Sequence, residues 1–263
     1  MHADAFDRYH EAGSVLHRLD PRLKVVVTVG FILSNVLLPD AAWAAFLLSW
    51  AYLLGLNLLS RLGMGFTFRR SFVALPFALA AVTAIFSIPG RALAEWHLGP
   101  WTVIPTDAGV LRFISILIRS WLSVQGAILL VAVTRFPDLV HALEHLRVPA
   151  ILTTIIAFLY RYLFVLTDEV MRLMRARQSR AAAEPGRPAG GSVLWRGRVA
   201  GNMAGQLFLR SYERSDRIYN AMLSRGYDGR LRTLNPHTLR PGDWTWAVAA
   251  GILLLIAQWL GRI

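Results

Sequence analysis

Two arginines 48 residues apart head the candidates for chemistry in this chain, Arg177 within Ala176-Arg177-Gln178 and Arg225 within Ser224-Arg225-Gly226. A guanidinium keeps its charge, forks onto a carboxylate with two parallel hydrogen bonds, and tolerates partial burial better than an ammonium. Arg177 continues a helical stripe of Leu166, Val170 and Leu173. An arginine at the end of such a stripe either snorkels to lipid headgroups or enters an acidic groove on a partner. Arg225 falls in the last turn of a helical pattern, just before Gly226. Glycine there is a helix stop and lets another backbone approach closely. A different chemistry is offered by His141-Ala142-Leu143-Glu144-His145, an H-x-x-E-H run. On a helix both histidines share a face, as a zinc site needs, and Glu144 would be the general base of a membrane metalloprotease. Its third ligand would have to be Glu169, Glu184 or Glu213. The alternative for the run is an interfacial helix with Leu139, Val140, Leu143 and Leu146 against a bundle and both histidines facing water. Arg112, Arg119 and Arg161 interrupt apolar runs and raise a third possibility, a solute path. No Asp or Glu inside the runs is expected to pair with them, so snorkelling to the interface is the plainer reading.

The elements that hold these residues follow from hydropathy. Of 263 residues 55% are hydrophobic and only 17% charged, below the quarter usual in soluble proteins. Apolar runs fall at 23–38, 41–59, 71–88, 108–134, 150–167 and 243–261, near the length that crosses a bilayer. The net charge is +12, and every basic residue except Lys24 is arginine. In a membrane chain that excess marks cytoplasmic loops rather than nucleic-acid binding. There is no cysteine, hence no disulfide or thiolate metal site. No cleaved signal peptide is expected in the first residues. No G-x-x-x-x-G-K-[ST] loop occurs, so nucleotide would belong to another chain.

Asp20 is expected to cap the first run, with Pro21 at its first helical position. A turn at Pro39-Asp40, a basic loop at 61–70, Pro76 within the third run and an outer-face loop at 90–107 follow. Two tryptophans beside His97 in that loop suit an interface better than a metal site. The run at 150–167 is about 17 residues long and contains Arg161. If it crossed, residues 168–240, with 14 arginines against six acids, would face outside. The expectation is therefore an all-α membrane protein with about five spans, N-terminus inside and C-terminus outside. Residues 1–134 carry four spans, 135–240 form a cytoplasmic region in which the apolar helix 150–167 packs low against the bundle, and 241–263 carry the last span. Within that region lie a short amphipathic helix (137–146), a helix ending near Arg180, a linker at 181–192, and a helix from Ser192 to Arg225. On the last helix, Ala204, Leu207, Phe208, Ser211, Ser215, Ile218 and Met222 form one stripe, and Arg210, Arg214, Arg217 and Arg225 another. Glu213 and Arg217 have the favourable i,i+4 order. The G-x-x-x-G at 201–205 allows close helix crossing and no more.

Three stretches carry a family resemblance: "SVLHRLDPRLKVVVT", "RSYERSDRIYNAMLSRGYDG", and the paired Ala176-Arg177-Gln178 and Ser224-Arg225-Gly226. Over nearly its whole length the chain resembles the transmembrane T component of energy-coupling-factor (ECF) transporters, most closely the cobalt-transport CbiQ type. In that family the two arginine motifs are Ala-Arg-Gly signatures at the ends of crossed coupling helices. This chain departs from the pattern at Gln178 and Ser224. The resemblance implies a non-catalytic subunit of the bacterial inner membrane that docks two ATPase subunits through residues 176–178 and 224–226. It also implies a separate substrate-binding S component, with a possible small accessory membrane subunit, and ATP and Mg held by the ATPases. Cobalt is the implied substrate and nickel its neighbour.

Overall fold

The computed structural model describes residues 9–91, 96–98, 101–103, 105–180, 192–229 and 239–263. Apart from Ser192, the expected linker lies outside the described residues, as does Glu184. The helices are α1 (Val15–Arg18), α2 (Pro21–Leu37), α3 (Trp43–Ser60), α4 (Met64–Ser71), α5 (Leu75–Ala81), α6 (Ala84–Ser87), α7 (Asp107–Val133), α8 (Phe136–His145), α9 (Ala150–Arg180), α10 (Val193–Leu223) and α11 (Pro241–Leu260). A short antiparallel ribbon, β1 (Trp96–Leu98) and β2 (Trp101–Val103), pairs His97 with Thr102 where a plain loop was expected. Among the described residues the fold is otherwise all-α.

The chain divides into two compact units, one of Asp7–Leu146 with Pro236–Ile263, the other containing Arg147–Asn235. The first is a bundle. Phe31 and Leu38 pack with Ala45, Phe46 and Leu53 from α3 and Leu122 from α7, and Leu254 of α11 borders them. At Gly126 α7 comes so near α2 that an added Cβ would lie 3.3 Å from the Phe31 ring. Small residues at such contacts let membrane helices close on one another where apolar burial supplies no drive. Large apolar side chains such as Leu33, Leu47 and Leu255 stay exposed on the bundle's outside. Helices apolar on every face belong in lipid.

Polar residues close one end of the bundle. Asp20 caps α2 by accepting from the Arg22 N–H at 2.9 Å, with Pro21 beginning the helix. The Asp20 N–H reaches the buried Asp243 of α11 at 3.4 Å. Lys24 donates to the carbonyls of His17 and Val133, each at 3.2 Å, a cation placed where α1 and α7 end. The starts of α2 and α11 and the end of α7 therefore share one end of the bundle.

Two expectations change here. The basic stretch 61–70 is mostly helix, its turn reduced to Arg61–Gly63 with Arg61 and Gly63 at positive φ. The third apolar run is broken, not continuous. Through α4, a 3-10 turn at Phe72–Ala74 and α5 into α6, the axis bends by 47°. Pro76, the second residue of α5, has no N–H to give and crowds the turn before it, which accounts for the break. Among the described residues Trp43–Ser60, Asp107–Val133, Ala150–Arg180 and Pro241–Leu260 are long and apolar enough to cross a membrane, and the bent pair would add a fifth. At 17 residues, about 25 Å, α2 is slightly shorter.

Candidate docking site

The arginine motifs belong to the second unit, built on α9 and α10, each 31 residues or about 46 Å long. The two helices run antiparallel. Arg177 near the end of α9 lies by Trp195 in the first turn of α10, and Glu169 is joined to Arg210 further along. Phe158, Tyr162 and Leu166 share a cleft with Ile218, Tyr219 and Met222. At mid-length Arg210 Nη1 donates to Glu169 Oε1 at 2.5 Å, and Arg172 also approaches that carboxylate at 3.6 Å. A cleft opens on each side of this contact, so the helices cross instead of lying flush. One cleft, about 350 Å³, is lined chiefly by apolar and aromatic side chains plus Arg214. The other, about 670 Å³, has a basic rim of Arg177, Arg180 and Arg196 over walls that include Leu173, Met174 and Val199.

Every third or fourth residue of α9 turns inward. The stripe of Leu166, Val170, Leu173 and Arg177 is half-buried along its length, while Ala176 and Gln178 are exposed. Arg177 thus ends an inward face, with its guanidinium carbon 5.9 Å from the centre of the Trp195 ring. That is cation–π range. Trp195 is placed by the helix start: its N–H is accepted by the Ser192 hydroxyl at 3.3 Å, an N-cap.

The far end of α10 is built differently. The Tyr227 N–H bonds the Met222 carbonyl at 3.0 Å and the Gly226 N–H bonds Leu223 at 3.0 Å, a Schellman closure. Gly226 takes the left-handed conformation this needs, φ +78°, and a Cβ there would meet nothing within 4 Å. Backbone angle is what requires glycine within this chain, and the space beside it is open. Arg225 is the exposed last residue before that turn, and the Ser224 hydroxyl bonds back to the Ala221 carbonyl at 3.0 Å. The residues of α10 level with Arg177 lie near Asn202, about 35 Å of helix before Arg225. The two motifs stand at opposite ends of the crossed pair.

The inward face of α10 differs from the expected one. Met203, Leu207, Ser211, Arg214, Ile218 and Met222 are half-buried, whereas Ala204, Phe208 and Ser215 are exposed. Arg214 therefore lies on the packing face and not on the solvent stripe with Arg210 and Arg217. The expected Glu213–Arg217 pair is absent among the described ion pairs; Arg210 reaches across to α9 instead. Trp195, Glu169 and Arg214 had no role in docking on sequence grounds. Only the antiparallel register, which pairs positions adding to about 379, would have matched Glu169 with Arg210.

The zinc reading finds no support. His141 and His145 of α8 are close, ring centres 4.6 Å apart, and Glu144 is 3.9 Å from His141. Among the described residues no group of three or more His, Cys, Asp or Glu could hold a metal ion. Of the supposed third ligands, Glu169 is engaged by Arg210 and Arg172. The His141 side chain is only 15% exposed, while Leu146 is exposed, so the expected inward and outward faces of α8 are partly exchanged. Arg112 and Arg119, expected to snorkel, find instead an acid that lies just outside the apolar runs. Asp40, in the turn between α2 and α3, pairs with Arg119 at 2.6 Å and approaches Arg112 at 3.9 Å.

Comparison with known proteins sets this geometry in context. A family profile described as "Cobalt transport protein", CbiQ, matches residues 12–235. An uncharacterized protein of Methanocaldococcus jannaschii is 30% identical over 90% of this chain and 80% of its own length. An energy-coupling factor transporter transmembrane protein EcfT of Thermosediminibacter oceani is 28% identical over 94% of this chain and 93% of its own. A cobalt transport protein CbiQ of Salmonella typhimurium is 33% identical over 41% of this chain and 51% of its own.

Proposed function

The chain belongs to the CbiQ cobalt transport protein family, a multi-pass membrane component of the energy-coupling factor class, and on that footing we propose that it couples ATP hydrolysis to import. In this reading two ATPase subunits grip Arg177 and Arg225. ATP and Mg bind the ATPases, and this chain contributes no catalytic group. A separate membrane subunit binds the substrate, cobalt ion, with a small accessory membrane subunit as a further partner. The setting is the bacterial inner membrane.

The observation that carries the reading is the placement of the two arginines at opposite ends of a helix pair clipped in its middle. One anchor at each end suits two separate subunits. When those subunits close, a clipped pair moves as one body instead of bending, and so passes the stroke on. Topology supports it as well. Because α7 ends and α11 begins at the same end of the bundle, the chain between them crosses the bilayer an even number of times. Of the described helices in that interval only α9 is apolar enough to cross. The count that fits is zero, leaving α2, α3, the bent segment, α7 and α11 as five spans with residues 135–240 on the cytoplasmic side.

The test is co-purification with the ATPase pair in detergent, alongside uptake of cobalt by cells. Truncating one member of a desolvated charge pair costs about 2–5 kcal/mol. Arg177→Ala with Arg225→Ala is expected to abolish stable association and uptake. Association at the wild-type stoichiometry with undiminished uptake would refute the docking role.

A further inference from the structure

From the same reading of Arg177, we propose that the first turn of α10 is the second half of its docking surface. Trp195 serves as a positioning residue and Val193 and Leu194 as apolar contacts for the same ATPase subunit. Three observations converge. Leu194 is 87% exposed and Val193 76%, the two most exposed large apolar side chains of α10. Trp195, half-exposed, sits beside the Arg177 guanidinium, and its backbone is fixed by the Ser192 cap. The adjoining cleft is basic, with Arg180 and Arg196 next to Arg177, and suits a partner whose groove is acidic at its floor and apolar at its rim.

The physical logic is preorganisation. A free arginine samples many rotamers, and ordering it on binding costs affinity. Lying near the Trp195 ring, Arg177 keeps its charge and all its N–H donors while part of that freedom is already removed. Val193 and Leu194 belong to the same first turn, so a partner that covers the start of α10 beside Arg177 can reach them.

The experiment uses the full-length chain in detergent, titrated with the purified ATPase pair of the same transporter. Trp195→Leu keeps an apolar side chain, smaller than the indole, and removes the π face. Trp195→Leu is expected to weaken binding about threefold, and Trp195→Phe to restore most of it. In an Arg177→Ala background Trp195→Leu should add little, because the group it positions is gone. Leu194→Ser is expected to weaken binding about tenfold in either background, as loss of an apolar contact should. If Trp195→Leu and Leu194→Ser bind like wild type while Arg177→Ala is weakened, this inference fails and the Arg177 docking role stands. If Arg177→Ala itself binds like wild type, both fail. Unaltered thermal unfolding of each variant separates a binding effect from a folding one.

Discussion

Arg225 stands immediately before a glycine whose φ of +78° closes α10, so the direction of its side chain depends on that turn. A residue with a Cβ is strained in the left-handed region by about 1–2 kcal/mol. Gly226→Ala is therefore expected to fray the helix end by about that amount, seen as faster amide exchange at Gly226 and Tyr227. It should also weaken ATPase association although the arginine remains. Unchanged exchange would mean the turn is not what holds Arg225. His17 gives a second residue-scale prediction. Its Nδ1 faces the Ser14 hydroxyl at 2.6 Å and its Nε2 the His10 carbonyl at 2.8 Å. Burial holds its pKa below the ordinary 6.5, and the Lys24 charge pushes the same way, against the His10 carbonyl. The unfolded chain takes up a proton near 6.5 and the folded chain only lower. Stability is thus complete above about pH 6.5 and declines as pH falls through that value. Thermal unfolding across pH 5–7.5 should show the decline, and His17→Gln should flatten it. Glycine as a stop was legible in the sequence, because only φ decides it. The partners of His17 were not, because they lie in an irregular loop.

For the elements, the decisive feature is the clip between α9 and α10. Glu169 has 13% of its side chain exposed and Arg210 58%, so the bond is partly screened. A pair of this kind is worth at most about 1 kcal/mol. Arg210→Ala is expected to loosen the crossing by no more than that, with faster hydrogen exchange in the middle turns of both helices. It should also reduce the coupling of ATP hydrolysis to uptake while leaving ATPase association largely intact. Association lost together with coupling would argue that Arg210 docks and does not clip. The α9 stripe through Arg177 could be read from spacing because a 3.6-residue period is local. The inward face of α10 was displaced by part of a turn. Its many arginines were read as solvent-facing, yet an arginine can lay its stem along a packed face, as Arg214 does beside Ile218 and Met222. The broken third run was visible only as Pro76, since a proline in a membrane helix can be accommodated or can bend it.

At the scale of the molecule the prediction concerns sidedness. The chain has no cysteine, so single cysteines report cleanly. Ser192→Cys and Ser224→Cys should resist an impermeant maleimide on intact spheroplasts and react after permeabilisation, and Thr102→Cys should react from outside. Labelling of position 224 on intact cells would overturn the five-span arrangement. Hydropathy and arginine distribution determined by themselves that this is a multi-pass helical protein with its basic residues gathered between the spans. Those properties depend on composition and local period, which each segment carries without reference to any other. Which end of the bundle joins α2, α7 and α11, which carboxylate Arg210 and Arg119 find, and that Arg177 rests by Trp195 were decided only by tertiary structure. Each brings together residues far apart in the chain, and nothing in a local pattern records the register at which two helices meet.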